Sequence, residues 1–226
     1  MRTTKLFFTA IILALTALTV DAQTIDFQST LKRGNALVAQ EKYKEAIEEY
    51  SKVTNRGGEL YAQATYNIGV CHYELWQTAE AIDFYKRAIE LKEGNYPKAS
   101  YALGIAFEEQ EQVAEAKAAY EQAVNASRRG FAPAIYRLGI VEAKAGDFKK
   151  AAALFKEAAS HKGAHLPASH NNLGVMLARL GFLTEAEKEF AIAVKASHGQ
   201  LDEAAHNLNL CRSLSSAVTQ DWRQNY

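Results

Sequence analysis

The sequence carries no excess charge of either sign. It has 26 Lys and Arg against 26 Asp and Glu, and about −1 once residues 1–22 are set aside. A protein that binds nucleic acid through phosphates needs a basic surface, so this balance argues against that partner class. A Lys/Arg-rich block suited to anionic lipid is also missing. So are a phosphate-cradling glycine-rich loop, a nucleophile elbow and an HExxH pair. No general acid or base can be named, the chain reads as a non-enzyme, and no cofactor is expected. His161, His165 and His170 do cluster, with His198 and His206 further on. His161 and His165 have a zinc-like spacing, but they straddle an expected helix end with no cysteine nearby, so no metal is expected.

Long apolar runs are missing too, except at the N-terminus. Arg2 and Lys5 precede Leu6 to Val20, and Val20-Asp21-Ala22 places small residues at −3 and −1 of a cleavage point. These parts read as a signal peptide over residues 1–22. The run of 15 residues falls short of the roughly 20 that span a bilayer. The expectation is an exported protein, periplasmic or secreted, with no integral span after cleavage. An uncleaved signal acting as a membrane anchor is the alternative.

What the sequence does have is a period. Gly34, Gly69, Gly104, Gly139 and Gly174 are each 35 residues apart. Ala46, Ala81, Ala116, Ala151 and Ala186 keep the same step, as do Tyr50, Tyr85, Tyr120, Phe155 and Phe190. Val53, Ala88, Ala123, Ala158 and Ala193 form a fourth ladder. Within one unit, Phe148, Ala151, Phe155 and Ala158 recur at helical spacing after a Gly146-Asp147 break. The unit is a helix hairpin that cannot bury its apolar stripes alone, and a fixed period of this size marks a solenoid in which each unit stacks on the next. Repeats are placed at about 27–61, 62–96, 97–131, 132–166 and 167–201, with a capping helix over 202–216 and a tail over 217–226. Asn209 and Arg212 in that last helix replace the Gly and apolar residue that a further hairpin would pack on. The polar tail carries Trp222 and has the option of folding back as a self-ligand.

The scarce residues fit this frame. Pro97, Pro133 and Pro167 each open a first helix, where the missing N–H is harmless. A glycine near each unit's end supplies positive φ. Cys71 and Cys211 sit at the same repeat position four periods apart, too far for a disulfide, and read as small buried hydrophobes.

Leu138-Gly139, Gly146-Asp147-Phe148, Ala151, Phe155 and Ala158 resemble the pattern of the tetratricopeptide repeat family, as do Tyr66-Asn67-Ile68-Gly69 and Ala81 through Tyr85. The resemblance covers about Phe27 to Arg212. Two features depart from the family: the step is 35 rather than 34, and a glycine-containing loop replaces the closing proline. Other α/α repeats are the fallback. The resemblance implies an all-α fold, a right-handed superhelix of five helix hairpins plus a C-terminal capping helix. It also implies that the first helices line a concave groove for a protein or peptide segment.

Carried onto this chain, the groove positions are Tyr66, Val70, Tyr73, Tyr101, Ile105, Glu108, Tyr136, Arg137, Ile140, Asn171, Asn172, Val175 and Arg179. A tyrosine row then runs beside an aliphatic row, the composition of a binding hot spot. The same spacing also serves packing between neighbouring first helices, and helical periodicity does not separate the two. Charge changes along the row, from Glu74, Glu108 and Glu109 to Arg137, Lys144 and Arg179, which would orient an extended ligand. Some family members clamp a terminal carboxylate. Asn35, Asn67 and Lys98 match that clamp, but Leu31 and Ala102 stand where a Lys and an Arg are required. The reading is an exported scaffold or adaptor that binds protein segments. Alternatives are a structural subunit assembling through its outer helices and, further off, a metal-dependent or hydrolytic enzyme.

Overall fold

A computed structural model describes residues 26–161, 163 and 166–225, with the side chains of 217–225 outside the description. The segment 1–22 read as a signal peptide, and His165, therefore lie outside the described residues. Eleven α-helices and no strand occur among the described residues. The first pair is α1 (Phe27–Val38) with α2 (Tyr43–Tyr50), and the second is α3 (Glu59–Glu74) with α4 (Thr78–Leu91). Then come α5 (Pro97–Glu109) with α6 (Val113–Ala126) and α7 (Ala132–Lys144) with α8 (Phe148–Ser160). The last pair is α9 (Leu166–Arg179) with α10 (Leu183–Ala196), followed by α11 (Asp202–Asn225). Each helix packs on the next in sequence, and first helices also meet across repeats, as α1 with α3 and α9 with α11. Five hairpins stack into one all-α solenoid.

The glycine ladder has a specific partner. A Cβ on Gly69 would lie 2.8 Å from Tyr85, on Gly139 2.8 Å from Phe155 and on Gly174 2.6 Å from Phe190. Gly34 meets Tyr50 and Gly104 meets Tyr120 in the same way. In every hairpin the second helix presses an aromatic ring against bare first-helix backbone, sixteen residues after the glycine. The ladder alanines Ala46, Ala81, Ala116, Ala151 and Ala186 are fully buried. Four clusters along the stack hold the core, the largest spanning Ala81 to Ala158.

The turn inside each hairpin is also repeated. The N–H of Lys42, Gln77, Gln112, Asp147 and Phe182 donates to the carbonyl of Leu37, His72, Phe107, Glu142 and Leu177, each at 2.9–3.0 Å. That bond closes a helix C-terminus around a left-handed residue. The left-handed position is Gly146 and Gly181 in the last two repeats, but Glu41, Trp76 and Glu111 in the first three. Asp147 also caps α8 by accepting the Lys150 N–H at 3.0 Å.

Three expectations need correction. The third repeat is not closed by Gly130, because Arg128 and Arg129 take the positive φ there. Arg129 is held by an ion pair to Glu157 of the next repeat. In the first repeat, where the spacing predicts a second helix over about Tyr43 to Asn55, α2 ends at Tyr50: Ser51 Oγ donates to the Ile47 carbonyl at 2.7 Å, and a 3₁₀ turn follows over Asn55–Gly57. Helix α11 continues to Asn225 instead of ending near Ser216, since no Gly or Pro interrupts residues 202–225. The backbone of the expected tail is thus the end of a helix rather than a segment folded back.

Candidate functional site

The row assigned to the groove falls on the first helices α3, α5, α7 and α9. Tyr66, Val70, Tyr73, Tyr101, Ile105, Glu108, Tyr136, Arg137, Ile140, Asn172 and Val175 are all half-buried, whereas Arg179 is exposed. Asn171 differs. It is 2% exposed, and its side-chain oxygen accepts from Asn207 of α11 at 3.0 Å, so the last helix covers it.

The tyrosines divide their surfaces. The Tyr66 ring centre lies 5.8 Å from that of Tyr85 and 5.4 Å from that of Tyr96. Tyr101 sits 5.9 Å from Tyr120 and edge-on to Phe131 at 5.4 Å, and Tyr136 sits 5.7 Å from Phe155. One side of each ring therefore belongs to the core, and both interpretations of the spacing apply to the same residues. Burial raises the phenol pKa of Tyr66 and Tyr136, and pushes Tyr96 up to about 12. All three stay neutral.

Polar groups link successive first helices along this face. Tyr73 donates to Glu109, and Asn172 donates to the Tyr136 hydroxyl at 3.1 Å. Glu108 gathers the Tyr120 hydroxyl at 2.6 Å, Arg137 at 3.4 Å and Lys144 at 4.0 Å. The change of charge along the row is thus partly cancelled where it was expected to be sharpest. At the N-terminal end Asn35 accepts from Tyr50 at 2.6 Å and from Asn67 at 3.3 Å, so both asparagines of the incomplete clamp serve the fold.

Two open hollows lie at the C-terminal end of the row. One, of about 450 Å³, is bounded by Ile140, Lys144, Phe148, Val175 and Arg179. The other, of about 330 Å³, is bounded by Val175, Arg179, Leu183, Leu210 and Leu214. Leu210 was not among the expected positions, yet it stands one period after Val175 and extends the series Val70, Ile105, Ile140, Val175 into α11. The period alone was enough to find it.

Among the described residues no group of three His, Cys, Asp or Glu is placed to hold a metal. His170 Nδ1 lies 2.6 Å from Glu189, and His198 and His206 are exposed. Cys71 and Cys211 are buried free thiols, and burial pushes Cys71 up to about 11, away from the thiolate form. No described helix is long and apolar enough to cross a membrane.

The sequence matches a family model described as "Tetratricopeptide repeat" over residues 31–100, 101–167 and 136–200. No curated protein matches. Among solved structures, MamA 41-end from Desulfovibrio magneticus RS-1 is 20% identical with a TM-score of 0.61, covering 80% of this chain and 99% of that one. YrrB, described as a TPR protein with an unusual peptide-binding site, is 20% identical with a TM-score of 0.61 and covers 85% and 95%. A thermophilic TPR protein of Thermus thermophilus, TTC0263, is 20% identical with a TM-score of 0.54, covering 81% and 97%. At these identities the likeness is one of fold.

Proposed function

Because this chain belongs to the tetratricopeptide repeat family, we propose that it is a protein-interaction scaffold whose first helices grip a segment of a partner protein. The observation that carries this is the aliphatic row Val70, Ile105, Ile140, Val175 and Leu210. It repeats at one position in the first helices α3, α5, α7 and α9 and in the capping helix α11, with four members half-buried and Leu210 exposed. A purely structural ladder would be buried throughout, as the alanine ladders are. Apolar surface left open along a rigid scaffold and edged by polar groups is how binding surfaces are composed. The peptide-binding site in the description of YrrB agrees with this use of the fold.

The reading includes export. Residues 1–22 act as a signal peptide, and the scaffold works outside the cytoplasm. N-terminal sequencing of the purified protein checks this: Gln23 at the start supports it, and an intact Met1 contradicts it.

For the scaffold role, cross-linking in the cell followed by mass spectrometry identifies the contacting partner segments. Those contacts should vanish in an Ile105→Glu/Ile140→Glu variant with an unchanged melting curve. They should persist in Ala118→Glu/Gln122→Glu, whose changes lie on a second helix. The opposite pattern would replace the groove with the outer face.

A further inference from the structure

The next step rests on the scaffold reading and narrows it to one end of the row. The two hollows flank α9, and Val175 and Arg179 line both, forming the ridge between them. The Arg179 guanidinium carbon stands 5.2 Å from the centre of the Phe148 ring. Among the described residues it has no acidic partner, in contrast to Arg137, which has Glu108 at 3.4 Å. The second cation at the hollows, Lys144, reaches Glu108 only at 4.0 Å and is largely exposed. Among the described residues, neither hollow is lined by an Asp or a Glu. Two apolar depressions thus share a rim that is cationic and short of anions.

We propose that this end of the scaffold binds a linear acidic segment of a partner protein. Two aliphatic side chains three residues apart enter the hollows, and a carboxylate between them pairs with Arg179. The spacing follows from geometry. Depressions on either side of one helix are separated by about one helix diameter, roughly 10 Å. A polyproline-II backbone turns once in three residues while rising about 9 Å, so residues i and i+3 share a face at that distance. A β-extended chain would put them on opposite faces. Arg179 suits the carboxylate because a guanidinium lying over an aromatic face is held there and its fork of donors matches a carboxylate.

Fluorescence anisotropy with the full chain and labelled twelve-residue peptides tests the proposal. The probe carries Leu-Asp-Pro-Leu between Gly-Ser flanks, and a control carries Leu-Lys-Pro-Leu. The expected result is saturable binding of the Asp peptide and about tenfold weaker binding of the Lys peptide, the scale of one charge-assisted pair. Arg179→Glu should reverse that preference, which also shows that the variant is folded, and Leu210→Asp should weaken both peptides. Failure of the Asp peptide to saturate, equal binding of the two peptides, or indifference to Arg179→Glu would overturn the proposal. Binding that survives Arg179→Glu and Leu210→Asp but is lost in Val70→Glu/Ile105→Glu would overturn this site and leave the scaffold reading standing. Binding unaffected by either set would remove both.

Discussion

A Cβ placed on Gly139 of α7 would lie 2.8 Å from Cε1 of Phe155 on α8, and that ring is 1% exposed. The ring has nowhere to go. Two effects compete when this glycine becomes leucine: leucine gains just under about 1 kcal/mol of helix propensity over glycine, whereas overpacking a filled core costs about 1–3 kcal/mol. A leucine at this position adds more than the methyl that already collides, so overpacking wins. Gly139→Leu should lower the melting temperature by several degrees, and exposed Lys149→Ala should leave it unchanged. Equal effects would mean that the two helices are packed in a different register.

The left-handed turn position gives a paired prediction of opposite sign. Glu111 has φ +59° where Gly146 and Gly181 have +84° and +87°. A left-handed L-residue costs about 1–2 kcal/mol, while glycine's additional chain entropy costs about 0.5–1 kcal/mol. Glu111→Gly should therefore raise stability slightly, and Gly146→Ala should lower it by about 1 kcal/mol. Thermal unfolding of both variants checks the pair. Destabilisation by both would show that Glu111 makes a compensating contact.

Acid should weaken the junction between the third and fourth repeats. The Glu142 carboxylate on α7 is buried and pairs with Lys117 of α6 at 2.9 Å and Lys150 of α8 at 2.6 Å. Burial is the largest single influence and raises its pKa, but the two lysines together outweigh it and hold the group below the ordinary 4.5. A carboxylate depressed on folding contributes stability above its unfolded pKa and loses it as pH falls through the lower folded value. Stability should thus drop below about pH 4.5. Glu142→Gln should be less stable at neutral pH and show a shallower acid dependence, read by denaturant titration across the pH range. An unchanged acid slope would place the titration elsewhere.

Much of this architecture was legible because the ladder residues do one job each. Thr78–Leu91 and the Pro97 start follow directly from apolar spacing and the residues that flank it. The period could not say which neighbouring helix covers a given side chain. Asn171 and Asn172 read alike in sequence, yet α11 buries the first and leaves the second half-open beside Tyr136. Likewise the change from Glu108 to Arg137 looked like a charge step that would orient a ligand, but stacking brings the two to 3.4 Å, where they pair with each other. Left-handed turns at Glu41, Trp76 and Glu111 also escaped notice, because only the last two repeats mark that position with a glycine, Gly146 and Gly181, and a backbone bond imposes the turn in the others.

An exposed Trp76 at such a turn offers a simple check on the hairpin geometry. It is 87% exposed with φ +61°. Its indole should emit at the wavelength of a solvated tryptophan, and Trp76→Gly should stabilise by about 0.5–1 kcal/mol through relief of backbone strain. A Trp222→Phe background isolates this signal. Blue-shifted emission would contradict the turn.

Whether the first helices are the gripping surface is settled most directly by position-specific photo-cross-linking. A photoreactive side chain at Ile140 should capture one defined partner segment, and the same group at Ala118 on α6 should capture none. Capture from Ala118 alone would contradict the account and move the working face to the second helices.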